Sequence, residues 1–486
     1  MLTTSEIKTF IEQDAMSRKK QLAKEGMRYY EADHDIRQYR LFFVDSDGEV
    51  KEDKTRSNIK ISHPFFTEIV DQATQYMLSG KDGFIRSDKP ELQAELDAYF
   101  NDNEDFQAEL YEVITGTQAK GFDYMYAFKG ADGKTCFQAA DSIGVVEVRA
   151  KETEDHCDYV IYSYVDRIGK NNKKINRIQV WDSVQTYFYC QEDNGIIVLD
   201  PSAEVNPRPH TMWKEDGSDA TYYEGYGFIP FFRLDYCKKQ FSALKPIKDL
   251  IDDYDLMSCG LSNNIQDANE VLYVVKGFQG DNLDELMTNI RTKKHIGVDD
   301  TGDVDIRTVN IPYQAREAKL ALDEKNIYRF GMAFNSAQQG DGNITNIVIK
   351  SRYALLDLKC NKLEIRLQQF LRKLLQVVLK EINDDQGTDY QMKDVYFDFQ
   401  REIMTNALDN AQIELIDAQK QQVLITTLLN CASLLDSATL IQNICDALDL
   451  DYNEIKDKIP DAKDEAIQAL DILDRISNNR DDDLIG

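Results

Sequence analysis

The stretch from Ala333 to Asn383, AFNSAQQGDGNITNIVIKSRYALLDLKCNKLEIRLQQFLRKLLQVVLKEIN, decides the architecture. A short polar loop containing Gly340 and Gly342 opens directly into a segment with neither Gly nor Pro from Ile344 to Glu381. Asn343 offers an N-cap at its start. Ile344, Ile347, Val348, Leu355 and Leu358 begin an apolar repeat. It continues through Leu363, Leu367, Phe370, Leu374, Val378 and Ile382, which is helical rather than strand spacing. The segment is expected to be one helix of about ten turns, headed by a loop poor in bulky side chains.

Outward from that helix, the chain has 486 residues, enough for two to four domains with substantial cores. Lys and Arg number 57 and Asp and Glu 86, a formal net charge of −29. Such acidity argues against ordinary affinity for a nucleic-acid backbone, which rests on Lys and Arg neutralising phosphates. It keeps a large protein soluble, and it is equally compatible with a polymer passing by without sticking.

MLTTSEIKTFIEQDAMSRKK, the first twenty residues, lacks an apolar core of signal-peptide length. Thr3 and Glu6 instead have the spacing of a capping box. The apolar run Leu374–Leu379 is far too short to span a bilayer. These features point to a soluble chain that is not exported and needs no membrane. The eight cysteines are scattered without a C-x-x-C pair, and five scattered histidines give no zinc-ligand spacing. The cysteines are expected to be reduced and mostly buried.

An α+β pattern emerges along the chain. Residues 1 to about 120 are mainly helical, broken by a hairpin-like passage at FFVDSDGEVKED. In SHPFFTEIVDQATQYMLSG, Phe65, Ile69, Ala73 and Met77 repeat every four residues, and Gly80 is a plausible stop. From about Gly121 to Tyr236 short segments rich in Tyr and Phe alternate with turn residues, as antiparallel strands do. A helix is expected from about Ser242 to Asn269, with Ile247, Ile251, Leu261 and Ile265 in its apolar stripe. Glu270 to Asn310 reads as a small α/β insertion. VLYVVKG is its strand, DNLDELMTNIRTKK its helix, and HIGVDDTGDVDIRTVN a hairpin turning at Asp300–Gly302. A helix from Tyr313 to Ala333 precedes the opening stretch, a strand is expected at Val395–Phe399, and from about Asn406 the chain is helical to an acidic tail.

Catalytic chemistry is sparse. Gly133-Lys134-Thr135 ends like a phosphate loop, but Phe128 stands where the first glycine belongs, so a hairpin turn is the better reading. Asp45–Gly48 and Asp299–Asp305 lack the glycine and glutamate of a calcium loop and read as acidic turns. Asn343-Ile344-Thr345 is a glycosylation sequon with no meaning in a chain that is not exported. His295 beside Lys293 and Lys294 suits either a phosphate contact or an exposed polar edge. No catalytic residue, metal site or cofactor is expected, and the chain does not read as an enzyme.

The order of these parts resembles the portal proteins of long-tailed (siphovirus-type) double-stranded DNA bacteriophages. SNIKISHPFFTEIVDQATQYMLSGK is similar to the family's early helix, and GYGFIPFFRLDY to its Gly-x-x-Pro strand. SALKPIKDLIDDYDLMSCGLSNNIQDANEVLYVVKG resembles the family's first stem helix running into a hydrophobic strand and Lys-Gly. GDGNITNIVIKSRYALLDLKCNKLE is similar to its loop and long-helix entry, with Thr345-Asn346 where Ser-Gly is usual.

The resemblance implies a ring, usually of twelve subunits, at one capsid vertex of the virion, assembled in the host bacterial cytoplasm. It implies a wing at 1–240, stem helices at 241–269 and 311–334, and a clip at 270–310. A tunnel loop at 335–343, a long bridging helix with a returning wing strand at 344–405, and a helical crown with acidic tail at 406–486 complete the subunit. Double-stranded DNA would pass through the channel beside Gln338, Gln339, Gly340, Asp341, Gly342 and Asn343. Lys293, Lys294 and His295 would meet the packaging terminase and later a head-completion or tail adaptor protein. The major capsid or scaffolding protein would be a further partner. Ile247, Ile251, Leu261 and Ile265 would pack the stem. The alternative is another ring-forming phage or tailocin head–tail connector component without catalysis. A packaging ATPase is disfavoured by the missing phosphate loop.

Overall fold

The computed structural model describes residues 1–448 apart from 46, 55, 81–82, 131–132, 150–156, 169–172, 193–194, 215–220, 268–271, 279–297, 308–312, 336–345, 402–406 and 431–436. The chain divides into two compact units, Met1–Gly340 with Lys350–Ile403, and Asp341–Ile349 with Met404–Gly486. Helices and sheets are mixed, and the fold is of the α+β kind.

The larger unit opens on helices whose starts are written in the sequence. Thr3 caps α1 (Thr4–Ala15): its hydroxyl accepts from the Glu6 N–H, while Glu6 Oε2 accepts from the Thr3 N–H at 2.8 Å. Ser17 caps α2 (Arg18–Tyr30). β1 (Phe42–Val44) and β2 (Val50–Glu52) form the expected hairpin. Asp45 Oδ1 closes it by accepting from the Asp47 and Glu49 N–H groups at 3.0 and 2.9 Å, so this is an acidic turn.

α3 (Phe65–Met77) ends at the Leu78 cap, before Gly80. Gly80 is not left-handed and does not stop the helix; a Cβ there would lie 2.5 Å from the Gln400 carbonyl oxygen. The glycine is needed for a close backbone crossing instead. β3 (Ile85–Arg86) and α4 (Pro90–Leu96) follow. α5 (Glu104–Lys120) is capped by Asn103, whose Oδ1 accepts from the Phe106 N–H at 3.0 Å, and is ended by Gly121 at φ +91°.

The strand-rich zone has two main antiparallel sheets. β4 (Phe122–Lys129) and β5 (Thr135–Ala140) join across a turn in which Gly130 N–H donates to Lys134 O at 2.9 Å. Gly133, at φ +81°, sits in that turn, so Gly-Lys-Thr is a hairpin connection. β6 (Val145–Val148), β7 (Tyr159–Ile168), β8 (Lys173–Trp181), β9 (Gln185–Glu192) and β10 (Val198–Leu199) pair in sequence, and β11 (Arg208–Pro209) adds to β9. β12 (Thr211–Lys214) pairs with β13 (Thr221–Glu224), and β14 (Phe231–Asp235) returns to the other edge of β4. α1 covers the larger sheet, with Ile7 packed among Ile161, Ile178, Val180 and Tyr189.

α6 (Lys248–Asp267) leads to β15 (Leu272–Phe278), which pairs with β16 (Val298–Arg307), and α7 (Tyr313–Gly331) leaves it. Asp300–Gly302 does not turn a hairpin as the sequence suggested. It lies inside β16, where the register slips between the Phe278↔Val298 and Lys276↔Asp303 pairs. The extra residues are absorbed as an irregularity in one strand.

α8 (Asn346–Gln386) is the long helix. Its 41 residues span about 60 Å. Leu363, Leu367, Phe370, Leu371, Leu374 and Val378 are buried with Phe100, Phe106, Leu110, Ile114, Met125 and Leu234 in the main core. Each such side chain contributes about 1.5–3 kcal/mol. Leu355 and Leu358, which share the apolar repeat, are exposed, and Leu356 and Cys360 take the inner positions. β17 (Tyr396–Phe397) pairs with β3. In the smaller unit α9 (Ala407–Asn430) and α10 (Ser437–Leu448) are helical, as expected.

Candidate assembly and conduit surfaces

The feature organising the middle of the chain is the α6–α7 pair flanking the antiparallel β15–β16 ladder. Charge ties the two helices: Lys319 on α7 donates to Asp253 on α6 at 2.5 Å and also pairs with Asp323 one turn along its own helix. At their base, Ile247, Ile251, Ile327 and Tyr328 share a core with Tyr29, Phe66, Ile69 and Val70. Tyr328 Oη donates to Glu68 Oε2 at 2.5 Å and closes that joint from the α3 side.

A second restraint runs along α6. Asp255, Cys259, Asn263 and Asp267 stand one per turn and accept in order from the backbone N–H groups of His63, Ile61, Ile59 and Ser57, at 3.0, 3.2, 2.6 and 3.2 Å. Four helical residues advance about 6.0 Å and two extended residues about 6.6 Å, so a strap can follow a helix in this register. Residues 57–63 therefore form an extended strap, and the SNIKISH part of the segment likened to an early helix lies outside α3.

The buried end of that strap is polar. Asp255, fully buried, accepts from His34 Nδ1 at 2.6 Å and His63 Nδ1 at 2.7 Å. Burial pushes its carboxyl up, but hydrogen bonds from the two histidines outweigh that and hold it below its ordinary value. On the same helix, Lys248 joins Asp35 and Asp252, each at 2.8 Å.

Lys359 on α8 is 3 % exposed, and the hydrogen bond described for it is a long one, 3.4 Å, to the Ile69 carbonyl oxygen. Burial lowers its ammonium to about 8. Nearby, Arg401 grips a flank of α8 through Asp357 at 2.9 Å, Asn361 at 2.5 Å and Glu364.

The residues singled out from the sequence fall in different places. Ile247 and Ile251 are buried within the chain, Leu261 is half-buried and Ile265 is 54 % exposed. Leu256 on α6 and Tyr313, Leu322 and Phe330 on α7 are also exposed. Gln338, Gln339, Gly340, Asp341, Gly342 and Asn343 lie outside the described residues, as do Lys293, Lys294 and His295 and the stretch 449–486. Asn335, just before the loop, donates to Glu324 Oε1 at 2.8 Å. Among the described residues no group of His, Cys, Asp and Glu could hold a metal ion, no helix is long and apolar enough to cross a membrane, and every described cysteine is free.

Residues 10–458 match the family model described as phage portal protein, SPP1 Gp6-like. The chain belongs to this phage portal protein family. A portal protein of Bacillus phage SPP1 is 30% identical over 353 residues, covering 71% of this chain and 67% of that one. A portal protein of Clostridium phage phiCD119 is 26% identical over 198 residues, covering 40% of this chain and 43% of that one. Portal-family chains are structural.

Three features escaped the sequence. The strap is legible only once α6 is known to lie beside it, since its partners are about 200 residues away. Lys359 has the look of a solvated position until the helix phase is fixed by Leu356 and Leu363. The His34–Asp255–His63 cluster joins three segments that no local pattern links.

Proposed function

We propose that the chain forms a ring-shaped conduit, usually of twelve copies, at one capsid vertex of the virion, through which double-stranded DNA is packaged and ejected. The observation that carries this reading is the α6–α7 helix pair around the β15–β16 ladder, a stalk that exposes Leu256, Ile265, Tyr313, Leu322 and Phe330. Exposed apolar residues on a stalk suit a chain that has neighbours to cover them. In this reading α6 and α7 are the stem, 270–310 the clip, 335–343 the tunnel loop, 1–240 with the returning strand the wing, and 406–486 the crown.

The clip, with Lys293, Lys294 and His295, is the surface offered to the packaging terminase and then to the head-completion or tail adaptor. The capsid or scaffolding protein meets the ring elsewhere. Gln338–Asn343 slides along phosphates without holding them, and Asp341 adds one like charge per subunit. In-vitro packaging tests the conduit. Rings of Asp341→Lys should assemble but slow or stall DNA uptake, with relief as salt is raised, because cationic contacts to phosphate are strongly salt-dependent. Equal uptake at every salt concentration would remove the loop from the channel.

A further inference from the structure

The outer face of α8 carries a row of cations in an otherwise acidic composition. Lys362, Arg366, Lys373 and Lys380 recur every seven residues or at half that interval, which keeps them on one face for about 27 Å. Gln369 and Gln376 fill the positions between them. Lys362, Lys373 and Lys380 are exposed and Arg366 half-exposed, and none of the four has an ion pair among the described residues. The carboxylates of the same stretch of helix are engaged elsewhere, Asp357 and Glu364 with Arg401 and Glu381 with Lys129. Towards its start the face turns apolar: Leu355, Leu358 and Ile365 are 40%, 58% and 63% exposed.

A complementary surface lies on α4, α5 and the segment between them. Glu91, Asp102, Glu104, Asp105 and Glu112 are all exposed, and none has an ion pair among the described residues. Both segments bury their other faces in the main core, α5 through Phe106 and Leu110 and α8 through Leu363 and Leu367, so stripe and ridge look outward from it. We propose that the α8 stripe of one copy docks on the α4–α5 ridge of the next. A ring closes through two different patches on each subunit, and among the described residues the α8 stripe and the α4–α5 ridge are of opposite charge and without ion pairs. Leu355, Leu358 and Ile365 favour a protein over a polyanion as the occupant, since a nucleic-acid backbone has no use for an apolar half. The contact rests on the ring reading above and specifies which surfaces close it.

Charge reversal tests it. The triple variant Lys362→Glu, Arg366→Glu, Lys373→Glu should keep its circular dichroism and lose ring particles about tenfold or more in mass photometry. Glu104→Lys, Asp105→Lys, Glu112→Lys should do the same. An equimolar mixture of the two should recover rings, because alternating subunits restore opposite charges at every joint. The six-fold variant in one chain should recover them too. Wild-type rings with a triple variant that assembles normally would overturn the contact and leave the ring intact. Loss without recovery in the mixture would overturn the pairing of these two surfaces. Loss of DNA retention with rings unchanged would make the stripe a polyanion site and overturn the proposal. A wild-type chain that forms no rings would overturn both this contact and the conduit.

Discussion

Replacing Lys359 with Met should stabilise the chain at neutral pH, by an amount that disappears in alkali. The lysine is enclosed between α3 and α8, and burial lowers its ammonium from the ordinary 10.5 to about 8. Each pH unit of that difference corresponds to about 1.4 kcal/mol, so the charged form costs the folded state about 3 kcal/mol. The sign follows from proton counts. Below pH 8 both folded and unfolded chains hold the proton, and the full cost is present. Between pH 8 and 10.5 only the unfolded chain holds it, so wild-type stability rises with pH. Above 10.5 neither holds it and the cost is gone. Methionine fills a similar volume without charge. It gives up one long hydrogen bond to a helical carbonyl, a loss of about 1 kcal/mol at most. The Lys359→Met variant should therefore exceed wild type by about 2–3 kcal/mol at pH 7 and match it, or fall slightly below, near pH 10.5. Urea unfolding of both chains at matched concentration across pH 7–10.5 measures the difference, in which other titrations cancel. A variant less stable than wild type at pH 7, or a difference flat across the series, would refute the reasoning.

Ile251→Asp should cost the chain several kcal/mol, because Ile251 is buried beside Ile69 and Ile327 within one subunit. Ile265→Asp should instead leave the subunit's thermal melt within about 1 °C and reduce ring formation, since Ile265 is exposed; the reverse ranking in melting and mass photometry would contradict the stalk assignment. Asp255→Asn should lower stability by about 3 kcal/mol at pH 7 by leaving His34 and His63 without their carboxylate. The contribution of Asp255 is present above its unfolded value of 3.8 and lost as pH falls through its lowered folded value, so the gap between wild type and variant should close in acid. Changing Lys293 and Lys294 together to Glu should leave rings intact and abolish co-sedimentation with terminase or adaptor; unchanged binding would move the docking surface away from the clip.

Much of the scaffold could be read from residue patterns, because it rests on local rules. The Thr3–Glu6 box starts α1 where expected, Gly133 turns its hairpin, and the apolar repeat from Leu363 to Ile382 points inward along α8. Readings that depended on distant partners were weaker. Gly80 has the sequence of a helix stop, yet its role is to let Gln400 pass close by. Asp300-Thr301-Gly302 has turn composition, yet pairing with β15 keeps the segment extended through a register slip. Ile247 and Ile265 look equivalent in a helical stripe, but the cluster around Tyr29 and Phe66 covers only the first. The same is true of the assembly surfaces. The cations of α8 are visible as a stripe in the sequence, but that they have no ion pair among the described residues is visible only when Arg401 and Lys129 are seen to occupy the neighbouring acids.

Imaging the purified chain by negative-stain electron microscopy tests the central claim most directly. The account predicts rings with a central hole and rotational symmetry near twelve. Single compact particles without a hole, at concentrations where the chain is folded, would contradict it.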